Sequence, residues 1–467
     1  MYIQQIYSSY PGEAAYYIES NGEAAVVDPL KDIGGHIQVA NDRNAVIKYI
    51  FETHYHADLV INHMDLCKKT GASIIFGPET KSNLPVHIAK DGEIFKLGEI
   101  TLQVLHTPGY SIESSCYLLK DENDKNHALF SGDTLFTGDS GRPGLGSGDK
   151  NKGELAGILY DTLQQKILPL PDDILVYPAL SERSSRDKNK GRNNFSTIGE
   201  EKQKNRALQP QSKAAFIKAV TEDLVEAPGH FSINGQINKE GYISPDIIKS
   251  KALTPLSIKA FKNKIEATVT VLDTRHGDIF PQGFLPGSIF IGLEGRFAEW
   301  AGSILSFTRP ILLITEPGRE EETVIRLTRV GFCGIEGYLE GGFDAWIKAG
   351  EKTDMIIEVE ADELAMDIPH DPNLQVVDVR RETEFADGHI KTAINIPLNE
   401  MTDLALVAGF EENQNLYVHS RSGYRSLIAC SLMKIHGLHN LRNISGGWEK
   451  IKEEHSIKIA REPSALN

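Results

Sequence analysis

His54, His56 and Asp58 occupy alternate positions in His54-Tyr55-His56-Ala57-Asp58, directly after the mostly apolar run Val46–Phe51. A strand end is rigid and its alternate side chains point into one mouth, so two imidazoles and a carboxylate there can converge on one cation. His106 precedes Thr107-Pro108-Gly109 at the end of the β-rich run Ile100–Leu105, and Asp133 follows His127–Ser131. Side chains just past strand ends are where α/β folds build their sites. Histidines at loop starts are often ordinary surface groups, but five donors at three strand ends outweigh that reading. A second reactive stretch, Ser420-Arg421-Ser422-Gly423-Tyr424-Arg425-Ser426, lies between the strand-like run Leu416–His419 and an apolar helix. A loop so placed aims backbone N–H groups and a helix N-terminus at an anion.

The elements that must position these groups follow from pattern. Over the first ~245 residues short β-rich runs alternate with helical stretches. Ala14–Ile18 and Glu23–Val27 predict a hairpin around Ser20-Asn21-Gly22. Residues 181–194 are polar and charged and read as an exposed loop, and Thr197-Ile198-Gly199-Glu200 is a capping box opening a helix. That helix is expected to run until Gln209-Pro210-Gln211-Ser212 breaks it, with a second helix to about Leu224. Beyond residue 250 the chain repeats itself. Asp273-Thr274-Arg275 recurs as Asp378-Val379-Arg380, Gly341-Gly342-Phe343 as Gly446-Gly447-Trp448, and Phe280 and Gly283 as Phe385 and Gly388, always 105 residues on. A constant offset means two copies of one fold. Runs such as Thr270–Leu272, Ile311–Ile314, Gln375–Val377 and Asn415–Val418 alternate with helical segments, which implies a parallel sheet with helices on both faces.

Composition narrows the function classes. The net charge of −16 over 467 residues argues against nucleic acid as the main partner. No apolar stretch approaches the roughly 18 residues of a membrane span, and the first residues lack a basic region followed by an apolar run, so a cytoplasmic protein is expected. Cys67, Cys116, Cys333 and Cys430 are widely spaced with no CxxC. They read as reduced packing residues rather than a disulfide framework or zinc knuckle. His63, His87, His127 and His230 lack a partner in the sequence and read as surface or packing residues.

With these motifs the first domain resembles the metallo-β-lactamase superfamily, whose αββα sandwich it is expected to adopt. In the dinuclear hydrolases of that superfamily, such as glyoxalase II, a histidine follows the motif aspartate and another ends a Tyr-Pro-Ala-His segment. Here those places hold Leu59 and, in Tyr177-Pro178-Ala179-Leu180, Leu180. Leucine offers no lone pair, so a second metal loses two ligands. What remains, His54, His106 and Asp133, is the donor set of non-haem Fe(II) oxygenases, and the domain looks like the persulfide dioxygenase branch. The resemblance implies one Fe(II) per chain on those three residues, with zinc as the alternative metal. It also gives His56 and Asp58 the task of orienting ligands and waters. Phe136 and Gly141-Arg142-Pro143 continue the match, although glycine at 144 stands where an aspartate is common. The substrates implied are a small thiol persulfide and O₂, with sulfite as product.

The last domain resembles the rhodanese family through Asp378-Val379-Arg380, Glu384-Phe385, Gly388-His389-Ile390, Asn395-Ile396-Pro397-Leu398 and the 420–426 loop. That family places a catalytic cysteine where this chain has Ser420. A serine hydroxyl is far less acidic than a thiol and cannot hold a transferable sulfur, so this module is expected to be inactive as a sulfurtransferase. Arg425 and the loop amides retain the shape of an anion cradle, and Arg142, Arg421 and Gly423 are assigned to substrate binding. The 105-residue shift puts Thr315 at the nucleophile position of the middle copy, in Thr315-Glu316-Pro317-Gly318-Arg319-Glu320. Its two glutamates repel an anion and Pro317 removes an amide donor. The middle copy reads as a structural pseudo-rhodanese. The expected organisation is a metal domain over 1–248, a degenerate rhodanese over 249–352 and a rhodanese-like domain over 353–467, in a homo-oligomer. Two further functions fit the same residues: a zinc-dependent, glyoxalase II-like thioester hydrolase, and a non-catalytic sulfur-binding scaffold.

Overall fold

The computed structural model describes residues 1–7, 14–30, 33–56, 60–143, 150–179, 195–222, 230–241, 245–403, 406, 409–411 and 413–462. Asp58, Leu59, Gly144, Leu180, Leu224 and the expected loop 181–194 lie outside them. The chain divides into two compact units, Met1–Ser244 with Arg329–Gly331, and Pro245–Thr328 with Phe332–Asn467.

The first unit is built on two six-stranded sheets. One takes its strands in chain order, from Tyr2–Tyr7 through Ala14–Ser20, Glu23–Val27, Val46–Glu52 and Ser73–Phe76 to His87–Ile88. The other has the order Ser196–Thr197, Leu175–Pro178, Asn126–Gly132, Ser115–Lys120, Ile100–His106, Ile94–Leu97. The period of two along each strand decides what meets what. Tyr16, Ile18, Ala25, Val27 and Phe51 of the first sheet pack with Leu102, Val104, Tyr117, Leu119 and Phe130 of the second. Their neighbours Tyr17, Ala24, Val26 and Ile50 face the other way, toward the helices Gly34–Asp42 and His63–Thr70. Leu118, Leu129 and Val176 face the helices Lys152–Thr162 and Lys213–Thr221. The result is the expected αββα sandwich.

The predicted hairpin forms, with Ser20 opposite Glu23. Asn21 and Gly22 have φ of 50° and 76°, the positive values a two-residue hairpin turn needs. The capping box also forms, since the Glu200 N–H donates to Thr197 Oγ1 and the Thr197 N–H to Glu200 Oε2, both at 3.2 Å. Its helix, however, ends at Lys204 rather than continuing to Gln209. Asn205 leaves helical geometry, and its side-chain amide donates to the carbonyls of Phe136 and Asp139 at 3.1 and 2.9 Å.

The second unit contains both copies of the repeat. Their parallel sheets share one strand order: Pro255–Leu256, Ile335–Leu339, Ile311–Ile314, Thr270–Asp273, Ile289–Phe290 in one copy. The other has Ile357–Val359, Leu441–Ile444, Asn415–His419, Leu374–Asp378, Ile394–Asn395. Even the register repeats at 105 residues, with Asp273 beside Ile314 and Asp378 beside His419. So do the side-chain contacts. Arg275 forks onto Asp273, donates to the Gly283 carbonyl at 2.8 Å and lies 4.1 Å above the Phe343 ring. Arg380 does the same with Asp378, the Gly388 carbonyl at 2.7 Å and Trp448 at 4.3 Å. Each of these buried arginines is held by a carboxylate, a carbonyl and an aromatic ring, which is what allows a charge to sit in a core. The copies also bond to each other: Tyr424 O–H donates to the Gly292 carbonyl at 2.8 Å, and the Phe290 N–H to Ser431 Oγ at 3.0 Å.

Candidate functional site

The strand Val46–Glu52 is paired in parallel on both sides, with Glu23–Val27 and with Ser73–Phe76, so the chain leaves it at Thr53 in a fixed direction. Asp28, just past Glu23–Val27, has a φ of 49°, a conformation that Asp tolerates better than most residues. It accepts the Thr53 N–H through Oδ1 and the Thr53 O–H through Oδ2, both at 2.8 Å. Thr53 Oγ1 lies 2.9 Å from His54 Nδ1. Because that hydroxyl already donates to Asp28, it accepts from Nδ1–H, which leaves the lone pair of His54 on Nε2. Burial, reinforced by the neighbouring His56, takes the His54 pKa down to about 3 despite the opposing pull of Asp28. His54 is therefore neutral near pH 7, the state a metal ligand requires.

Its Nε2 stands 3.8 Å from Asp133 Oδ2. That is too long for a hydrogen bond and within the span of one cation with ligand bonds of about 2.0–2.2 Å. Gly132 makes the approach feasible: with φ of 52°, a Cβ there would fall 2.4 Å from Thr53 Oγ1. The residues present thus fit a metal at the His54–Asp133 pair.

His106 is not brought to that pair. Its Nε2 lies 2.9 Å from the carbonyl of Ile112, which only accepts, so Nε2 carries the proton, and its backbone N–H donates to Asp91 at 2.8 Å. The group set against His54 is instead Tyr110, buried, with ring centroids 5.0 Å apart and planes at 82°. The Tyr110 ring also crowds Gly141, where a Cβ would meet it at 2.8 Å and the Asp133 carbonyl at 2.0 Å. Sequence reasoning passed over Tyr110 because a tyrosine between glycine and serine carries no spacing signal.

His56 presents one nitrogen to two carboxylates: Nε2 is 3.4 Å from Asp28 Oδ1 and 3.9 Å from Glu52 Oε2. Its ring centroid is 4.3 Å from that of His54. His63, read from sequence as a surface or packing residue, is fully buried with Nδ1 3.1 Å from Glu52 Oε1. Burial tends to raise the Asp28 carboxyl, but His56 and the Thr53 N–H outweigh it and the net shift is downward. For Glu52 burial dominates over His63 and the carboxyl is raised. Asp28, Glu52 and His56 each offer a ligand atom within 4.8 Å of the others.

The arginines assigned to substrate, Arg142 and Arg421, and the catalytic-loop Arg425 all meet carboxylates. Arg142 lies 3.3 Å from Asp139, Arg421 3.0 Å from Glu449, and Arg425 forks onto Glu384 at 2.7 and 2.8 Å. An anion at the 420–426 loop therefore has to compete with Glu384 for Arg425. The loop itself is formed. Ser420 is buried at the strand end, its Oγ accepts the Gly423 N–H at 3.1 Å, and Gly423 has a φ of 100°. The Ser420 carbonyl accepts the Trp448 N–H at 2.7 Å. Gly447, with φ of 53°, would place a Cβ 2.4 Å from that carbonyl. Gly447→Ala is expected to cost about 2–4 kcal/mol from the clash and the left-handed backbone, read as a drop of roughly 10 °C in Tm by circular dichroism.

In the middle copy Arg319 binds Glu294, Glu316 and Glu322, and the Gly318 N–H donates to Glu320 at 2.9 Å. That loop satisfies its own charges and leaves nothing arranged for an anion. Neither buried cysteine substitutes for Ser420: burial pushes the Cys116 and Cys430 thiols up to about 11 and about 12, so neither is a thiolate near pH 7. Among the described residues no helix is long and apolar enough to cross a membrane.

Comparison with known proteins agrees with this architecture. The metallo-beta-lactamase superfamily matches residues 12–179, and the rhodanese-like domain family matches 257–349 and again 360–454. A solved metallo-beta-lactamase from Staphylococcus aureus subsp. aureus COL is 30% identical, covering 73% of this chain and 99% of that one, with a TM-score of 0.63. A probable hydroxyacylglutathione hydrolase of Schizosaccharomyces pombe is 32% identical over 158 residues, 33% of this chain. A hydroxyacylglutathione hydrolase of Polaromonas sp. is 31% identical over 160 residues, 34% of this chain. This chain spans 57% of the length of each of those two relatives. With an αββα sandwich carrying metal-competent donors and two copies of a second fold behind it, the chain belongs to the metallo-beta-lactamase superfamily and bears two rhodanese-like domains.

Proposed function

We propose that the chain is an iron-dependent enzyme of sulfur metabolism that oxidises a small thiol persulfide. The observation that carries this is the approach of neutral His54 Nε2 to Asp133 Oδ2, in a chain whose other unit is made of rhodanese-like modules. The reaction RSSH + O₂ + H₂O → RSH + SO₃²⁻ + 2H⁺ balances with persulfide and O₂ as the only partners besides water. Iron, when bound, supplies the redox chemistry that couples O₂ to sulfur. The chain's own part is to hold the ion with His54 and Asp133, to keep His54 in one tautomer through Thr53 and Asp28, and to exclude water with the Tyr110 ring. Leu59 and Leu180 offer no donors at the two positions from which the dinuclear hydrolases hold their second ion, which favours this chemistry over theirs. The test is metal content and oxygen uptake of anaerobically purified protein offered glutathione persulfide. About one iron at this pair with persulfide-dependent uptake supports the reading, and iron-loaded protein without uptake refutes it.

Because His106 bonds to Ile112 and Asp91 and meets neither His54 nor Asp133 among the described residues, His106→Ala is expected to keep its iron within about twofold by elemental analysis. Near-complete loss would return His106 to the ligand set.

A second reading has one observation behind it: the curated relatives are named hydroxyacylglutathione hydrolases. It predicts O₂-independent hydrolysis of a glutathione thioester by the zinc-loaded chain.

A further inference from the structure

Behind the His54–Asp133 pair, four ionisable side chains are buried together: Asp28, Glu52, His56 and His63. Glu52 is wholly inaccessible, its Oε1 is held by His63, and its Oε2 has no hydrogen-bond partner among the described residues. That oxygen faces His56 Nε2 at 3.9 Å. An unsatisfied carboxylate oxygen in a protein interior is costly, and such groups are ordinarily paired or bound to a cation.

We propose that Asp28, Glu52 and His56 hold a divalent cation of their own, separate from the one at His54 and Asp133. Their ligand atoms lie within 4.8 Å of one another, with His56 Nε2 3.4 Å from Asp28 Oδ1. One ion with ligand bonds of about 2.0–2.2 Å spans such separations. Two carboxylates carry two negative charges, which a divalent ion neutralises while the imidazole stays uncharged. One nitrogen and two oxygen donors suit first-row ions such as Mn(II), Fe(II), Co(II) or Zn(II) better than calcium, which takes oxygen alone. An ion here anchors Asp28, and Asp28 orders Thr53 and through it His54. The inner ion is thus a brace for the outer ligand. The proposal stands whether or not the chain oxidises persulfides.

The test uses the full chain, stripped by a chelator under anoxia, reloaded with Co(II), and read by elemental analysis and visible absorption. Two cobalt ions per chain are expected in the wild type, and one in each of Glu52→Gln and His54→Ala, with different spectra. One ion in the wild type, kept in Glu52→Gln and lost in His54→Ala, overturns the inner site. One ion lost in Glu52→Gln but kept in His54→Ala upholds the inner site and removes the ion at His54 instead. No cobalt in the wild type overturns both. Should circular dichroism show Glu52→Gln unfolded, Glu52→Asp, which withdraws the carboxylate from His56, is read in its place with the same expectations.

Discussion

Asp133→Ala is expected to lower iron affinity at least ~100-fold and to take persulfide-dependent oxygen uptake to background. The effect is large because the carboxylate does three things at once. In the proposed site it is a direct ligand, it carries charge that offsets the cation, and it faces a histidine whose tautomer is already fixed by Thr53 and Asp28. Removing a group that only orients a ligand typically costs 10–100-fold in affinity, so removing the ligand itself should cost at least the upper end of that range. Asp133→Asn keeps the shape without the charge and is expected to fall between the two. Elemental analysis after equilibrium dialysis and an oxygen electrode read both quantities. Retained iron and uptake in the alanine variant would place the carboxylate ligand elsewhere in the chain.

Ser420→Cys is expected to turn the terminal module from no measurable thiosulfate:cyanide sulfurtransfer to a detectable rate. The cysteine thiolate attacks the outer sulfur of thiosulfate, sulfite leaves, and cyanide takes the sulfur from the resulting persulfide as thiocyanate, which restores the thiolate. The geometry for a thiolate at 420 is in place, because the Gly423 N–H already points at the side-chain atom and the helix Tyr424–Ile435 begins there. What opposes the gain is Glu384, which occupies both arms of Arg425. Adding Glu384→Gln to Ser420→Cys is therefore expected to lower the KM for thiosulfate several-fold. A folded double variant with no thiocyanate formed would mean that the cradle itself has been lost.

Much of this was legible in the sequence, and for identifiable reasons. The 105-residue offset of Asp-x-Arg and Gly-Gly-aromatic specified two copies of one fold, because each motif is a complete local contact set: the arginine reaches its own aspartate two residues back and the aromatic ring of the same copy. Ser420, at the position where the rhodanese family carries a cysteine, sets the expectation of a disabled nucleophile, since hydroxyl and thiol chemistry differ whatever surrounds them. The Asn21-Gly22 turn and the Thr197–Glu200 capping box were visible because each is satisfied within a few residues.

The sequence by itself, then, determined the fold class, the repeat and the chemical types offered at the strand ends. Only the tertiary structure decided which of those groups meet. His106 looked equivalent to Asp133 as a strand-end donor, yet among the described residues its partners are Ile112 and Asp91, while Gly132 admits Asp133 to His54. Asp28, Glu52 and His63 showed no pattern along the chain, because they are gathered by parallel strand pairing and by the packing of the His63–Thr70 helix against the sheet. Arg425 was matched to an anion by its position in a loop, and a glutamate 41 residues away claimed it. Spacing reports which donors a strand end presents. The partner a donor finds is set by whichever complementary group long-range packing brings within about 3 Å, and that is not written in the local sequence.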